Sequence, residues 1–177
     1  MSDYCMLAYA EVDGVRTFRD TQIWEFHERL LAEGGAHVFR DGSIRDGEAF
    51  LRMAKDPSVA FFVAYVQGKV AGVVWLNRRQ ARWAQCSYFT FREFWGVHAT
   101  GLGRHCLREL LHLRDGSKNF MLDMLLGLTP VDNRAAVLFA LRCGWKRQGV
   151  LPCGVFDAAT GESQPAVIFT ATRGDLQ

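Results

Sequence analysis

Apolar residues along this chain change their period twice, and the changes divide it into elements. In the first third they recur at helical spacing. Ile23, Phe26, Leu30 and Leu31 share one face and predict a helix capped at Thr21 and stopped by Gly34-Gly35. Ala49, Phe50 and Met53 place a second, shorter helix over Asp46–Lys55, ended by Asp56-Pro57. A weaker signal puts a first strand over Met6–Val12. The texture then turns β-branched and aromatic. Val59–Val66 and Val70–Leu76 read as strands joined by a hairpin turn at Gln67-Gly68-Lys69, polar Asn77–Gln80 reads as a second turn, and Cys86–Phe94 completes a three-stranded meander.

Helical spacing returns at the stretch Val97-His98-Ala99-Thr100-Gly101-Leu102-Gly103-Arg104. From there Leu102, Cys106, Leu107, Leu110, Leu111 and Leu113 form a broad apolar face, with Arg104, Arg108, Glu109 and Arg114 largely outside it. Asp115-Gly116-Ser117 breaks the helix, and the apolar run Phe120–Leu128 predicts a buried central strand. A strand that follows a crossover helix in the same sheet pairs parallel to the strand before that helix. Thr129 to Asn133 is a turn and helix start with Asp132 or Asn133 as the cap, and Gly144 ends the helix Arg134–Cys143 in a left-handed residue. Trp145–Leu151 and Gln164–Thr172 are the last strands, joined by the loop Asp157–Ser163. With no repeat, linker or low-complexity tract, residues 1–177 read as one α/β (α+β) domain with a mixed central sheet and flanking helices.

The glycine-bearing turn at 97–104 carries the first chemical signal. A turn opening onto a helix offers N–H groups without intrahelical partners at the positive end of the helix dipole, which suits a phosphate or pyrophosphate. Glycines at 101 and 103 let backbone approach such a group without a Cβ in the way.

Charge narrows the partners. Twenty-one basic against nineteen acidic residues leave a formal +2 with no run of one sign, so neither nucleic acid nor an anionic membrane is indicated. The five cysteines are odd in number and none is spaced as Cys-x-x-Cys, which argues against a disulfide framework or structural zinc. His105 and His112 share a helical face, but nothing completes a metal set. No cleavable leader and no apolar run of membrane length are legible, so the expectation is a soluble, cytoplasmic protein without a metal.

Taken with the order of elements, two motifs make the chain resemble the GNAT (GCN5-related) N-acetyltransferases. His98-Ala99-Thr100-Gly101-Leu102-Gly103 fills the frame of that family's pyrophosphate loop, and Asn133, Ala136 and Gly144-Trp145 match its later motif. The phrase from Gly127 to Trp145 is also similar to small GNAT-like proteins of bacteria and their phages. The resemblance implies acetyl-CoA as co-substrate, lying in a V between splayed strands, with an amine acceptor attacking the thioester directly in a ternary complex. It implies cofactor contacts from Val97, His98, Ala99, Thr100, Gly101, Leu102, Gly103 and Arg104. It adds Asn133, which either caps its helix or bonds the cofactor arm or does both, and Phe139 at the thioester end, or else in plain core. Two departures stand out. His98 replaces the usual Arg or Gln. The family's Tyr acid falls on Ala140 and its Glu base near Ser87, leaving Tyr88 and Glu93 as the nearest titratable candidates for catalysis. The expected acceptor is a small-molecule or peptide amine, met by loops around Glu33–Asp46 and Asp157–Gln164, in a monomer or homodimer. The rival expectation is a GNAT-fold protein that binds CoA, or serves in regulation, without catalysis.

Overall fold

In the computed structural model, residues 3–176 are described, and a seven-stranded sheet runs in the order β1-β4-β5-β6-β7-β9-β8. β1 (Tyr4–Ala8) is shorter and earlier than the Met6–Val12 expected, because Asp13 and Gly14 at positive φ fold the following residues into a small hairpin, β2 (Glu11–Val12) with β3 (Val15–Arg16). α1 (Asp20–Ala32) begins at Arg19 rather than at Thr21: the Gln22 side chain accepts the Arg19 N–H at 2.9 Å and closes the first turn. Ile23, Phe26 and Leu30 are buried as the spacing requires, whereas Leu31 is exposed. α2 (Gly47–Lys55) is capped by Asp46, which accepts the Ala49 N–H at 2.8 Å.

β4 (Ala60–Val66) and β5 (Lys69–Gln80) form a hairpin whose two turn residues, Gln67 and Gly68, both have positive φ, the geometry that matches strand twist. The polar stretch Asn77–Gln80 is not a turn. β5 runs through it by way of a bulge in which Arg78 takes φ 47°, pairing resumes at Gln80 with Trp83, and the chain reverses at Ala81-Arg82. Its polarity reflects the end of a hairpin that projects into solvent. β6 spans Trp83–Thr90, earlier than Cys86–Phe94, and Arg92–Phe94 is instead one turn of 3-10 helix.

α3 (Val97–Leu111) crosses back to β7 (Met124–Pro130), which pairs parallel to β6 as expected. β7 begins later than Phe120 because Asp123 N–H donates to the Arg82 carbonyl and the Arg173 guanidinium takes the Leu122 carbonyl, holding the preceding residues as a lead-in. α4 (Arg134–Cys143) ends on Gly144 at φ 103°. β8 (Lys146–Asp157) and β9 (Glu162–Thr172) close the sheet, with β9 inserted between β7 and β8. β8 is an outer edge strand whose register breaks twice, between Arg147 and Gly149 and between Leu151 and Val155.

The core sits on both faces of β4–β6. On one face Phe50 packs edge-on against Phe61 and Phe39 stacks on Trp75 at 5.5 Å, around a buried His27. On the other, Leu102, Leu107, Leu110 and Leu111 of α3 are buried beneath the helix. Among the described residues no helix is long and apolar enough to cross a membrane.

Candidate functional site

β6 and β7 stay paired only from Trp83–Met124 to Gln85–Leu126, and both then continue unpaired to each other, to Thr90 and Pro130. Beyond that point the facing edges of both strands carry backbone N–H and C=O groups with no strand between them. A cavity of about 570 Å³ occupies the gap. Phe39, Trp75 and Ser87 line it from one face of the sheet, and Tyr88, Phe139 and Ala140 from the other, so it passes through the sheet rather than lying on it. The α4 side adds Asn133, whose Oδ1 accepts the Ala136 N–H at 3.1 Å as a helix cap, so of the two expected roles capping is in place.

Tyr88 and Phe139 stack nearly parallel, 9° apart with centroids at 5.5 Å. The Tyr88 hydroxyl is fully buried and makes no well-formed hydrogen bond among the described residues, with the Thr90 side chain near enough for a weak one. Burial pushes its pKa well above the usual 10.0, with Cys106 nearby adding to the effect and Thr90 opposing it. That shift favours the protonated phenol. Glu93 sits on the surface turn Arg92–Phe94, paired with Lys69 at 3.3 Å and Arg29 at 3.4 Å, and does not line the cavity.

A residue that no motif marked, His37, does line it. It belongs to a 3-10 turn, Gly35–Phe39, and its Nδ1 lies 2.9 Å from the Gly34 carbonyl. A carbonyl only accepts, so Nδ1 carries the hydrogen and the neutral ring keeps its lone pair on Nε2. The signal that pointed near it was the prediction of acceptor-side loops over Glu33–Asp46; the imidazole itself had no pattern. Arg40 lines the same side, its Nε buried without a hydrogen-bond partner and 3.8 Å from Asp157.

The expected phosphate seat is a helix N-terminus, but not a glycine loop. α3 starts at Val97 after Gly96, which takes φ 79° and ψ −107°, and no side chain caps it and no acid lies in its first turn. The Val97, His98, Ala99 and Thr100 amides are therefore in the first turn, with Val97 exposed. Gly101 and Gly103 lie inside the helix, where small size serves packing. A Cβ at 101 would overlap the Tyr4 hydroxyl and stand 2.7 Å from Tyr4 Cζ, and one at 103 would overlap the Cys143 sulfur and stand 2.9 Å from Phe139 Cζ. Leu102 is buried core, and Arg104 donates to the Arg142 carbonyl at 3.1 Å, tying α3 to the end of α4. The His98 ring meets Tyr4 edge-on at 6.4 Å, and its buried Nδ1 has no partner.

No family model and no curated protein matches the chain. Solved structures do. An acetyltransferase of Salmonella typhimurium that modifies the N-terminal serine of ribosomal protein L7/L12 superposes with a TM-score of 0.73 at 14% identity, over 97% of this chain and 96% of that one. Spermidine N-acetyltransferase of Vibrio cholerae, in complex with CoA and spermine, gives 0.70 at 15% identity over 98% of each. The microcin C7 self-immunity acetyltransferase, solved with acetyl-CoA and AMP, gives 0.64 at 17% identity over 97% and 93%. The likeness is one of fold, and the fold is that of the GNAT acetyltransferases.

Proposed function

We propose that the protein is an N-acetyltransferase using acetyl-CoA and an amine acceptor. The observation that carries this reading is the parting of β6 and β7 around a cavity open to both faces of the sheet, since direct transfer needs two reactants to meet through one gap. Neighbours of the same fold solved with CoA or acetyl-CoA support the co-substrate, and neighbours acting on spermidine or a ribosomal protein support an amine acceptor.

The residues present fit such a ligand. The free edges of β6 and β7 offer main-chain groups to an extended amide-bearing arm, as an added strand would. The uncapped first turn of α3, Val97 to Thr100, offers N–H groups to a pyrophosphate. Asn133 and Phe139 flank the arm from α4. Bound acetyl-CoA supplies the activated thioester. His37 Nε2, on the opposite side, takes the proton of the attacking amine. Tyr88 keeps its own proton and offers it to the developing oxyanion or the departing sulfur, in place of the Tyr missing at Ala140. A base and a donor on opposite faces give this reading more support than a catalytically silent one.

Two measurements test it together. Acetyl-CoA at ~100 times its Kd should add about 2.7 kcal/mol to the folded state and raise Tm. Free thiol should then appear with at least one member of a panel of peptides, polyamines and small amines. No Tm rise and no thiol with any amine would overturn the proposal.

A further inference from the structure

A second cavity, of about 450 Å³, lies at the bulge in β5 and meets the larger one at Arg78. Its floor is apolar: Leu76, Ala84 and Leu122 are each at most 5% exposed. Its rim carries Arg78 and Arg79. These two residues fall inside the break between Asn77 and Gln80, where the β5–β6 ladder is interrupted. Arg78 holds φ 47° there, a left-handed conformation that costs a long side chain free energy. Bulges of this kind redirect side chains at functional sites.

Nearby, Arg82 and Arg173 share Asp123, and Arg114 donates to the Lys118 carbonyl and lies over Phe120. Among the described residues neither the exposed Arg78 guanidinium nor that of Arg79 has a hydrogen-bond or ion-pair partner. No carboxylate lines the cavity. Two unneutralised guanidinium groups over an apolar floor define a ligand with an anionic head and an apolar body.

We propose that this cavity binds a small apolar carboxylate, its chain on Leu76, Ala84 and Leu122 and its carboxylate on Arg78 and Arg79. The proposal does not rest on acetyl transfer, but Arg78 lines both cavities, so its test includes acetyl-CoA as a competitor.

The probe is sodium octanoate, titrated into the full chain and followed by tryptophan fluorescence and by Tm. Octanoate should bind saturably, tighten roughly four-fold per methylene from hexanoate upwards, and bind far better than octylamine, which matches the floor but reverses the head charge. The double variant Arg78→Asn, Arg79→Ser should weaken octanoate about ten- to a hundred-fold, the worth of charged hydrogen bonds. It should leave the fold intact, since Asn tolerates positive φ. Met121→Trp, which fills the cavity wall, should abolish binding. Arg78 also lines the larger cavity, so acetyl-CoA is the control. Octanoate that acetyl-CoA displaces completely, that octylamine equals, or that the double variant binds as well as the parent would overturn the proposal.

Discussion

Replacing Tyr88 with Phe removes a buried hydroxyl that makes no well-formed hydrogen bond. The ring stack on Phe139 at 5.5 Å is kept, because Phe presents the same face. A hydroxyl taken out of water without a hydrogen bond costs about 1–3 kcal/mol. Its removal should therefore stabilise the fold by up to that amount, raising Tm by roughly 2–4 °C per kcal/mol in a domain of this size. Activity should move the other way. A donor lost from a site of developing negative charge typically costs about 10²–10³ in kcat. The assay is thiol release at saturating acetyl-CoA beside a thermal melt of the same sample. Higher Tm with lower kcat supports the donor role. A kcat equal to the parent's refutes it, and a lower Tm refutes the reading that the hydroxyl makes no well-formed hydrogen bond. The phenol's raised pKa adds a check with a definite sign. Above the unfolded value of 10.0 the folded state binds the extra proton, so parent stability falls as pH rises through the window between unfolded and folded values. The Phe variant lacks that fall.

Other outcomes follow from other residues. His37→Gln should lower kcat by about 10²–10⁴ while leaving the acetyl-CoA-induced Tm rise in place, as a lost base rather than a lost binding group. Gly103→Ala drives a methyl into Cys143 and Phe139 and should cost about 1–3 kcal/mol, read as a lower Tm; an unchanged melt would show that α3 and α4 are less tightly apposed. His27 is buried among Phe39 and Phe50, and desolvation lowers its pKa from 6.5, so the unfolded chain binds the extra proton and stability should drop as pH falls below 6.5. His27→Leu should flatten that limb of a stability–pH curve. Cys86 and Cys143 are pushed up to about 12 by burial, so at pH 8 an alkylating reagent should label exposed Cys5 and Cys153 and spare them; mass spectrometry reads the sites.

What the sequence made legible was whatever has a period or a cap. α2 and α4 fell within a residue of expectation because Asp46, Asn133 and Gly144 are local devices whose chemistry needs no distant partner. The β4–β5 hairpin followed from Gln67-Gly68 for the same reason. The misplacements came where a distant group decides. Arg173 taking the Leu122 carbonyl delays β7, and a bulge carries polar Asn77–Gln80 within a strand. In the site, the uncapped helix start could be read from spacing, whereas the close packing of Gly101 and Gly103 against Tyr4, Cys143 and Phe139 joins residues that no local pattern connects. Tyr88 was found for its residue type, but the direction in which its proton affinity shifts depends on burial, which no local pattern shows. His37 sits in an irregular turn with no period, and only the fold brings it to the gap.

The two register breaks in β8 bear on how the molecule behaves in a crowded solution. An outer strand spanning Lys146–Asp157, with Val150 and Leu151 exposed at 44% and 43%, is the kind of border along which further chains add and fibres grow. Here the border is cut into short runs. Lys146 and Arg147 charge one end, Gly149 offsets the ladder, and the second break contains Pro152, which has no N–H to give an incoming strand. Straightening it, for instance by deleting Pro152 and Cys153 so that the pairing continues in step from Leu151–Ala166 to Val155–Gln164, would leave an uninterrupted adhesive margin. The expected cost is precipitation on concentration rather than loss of fold.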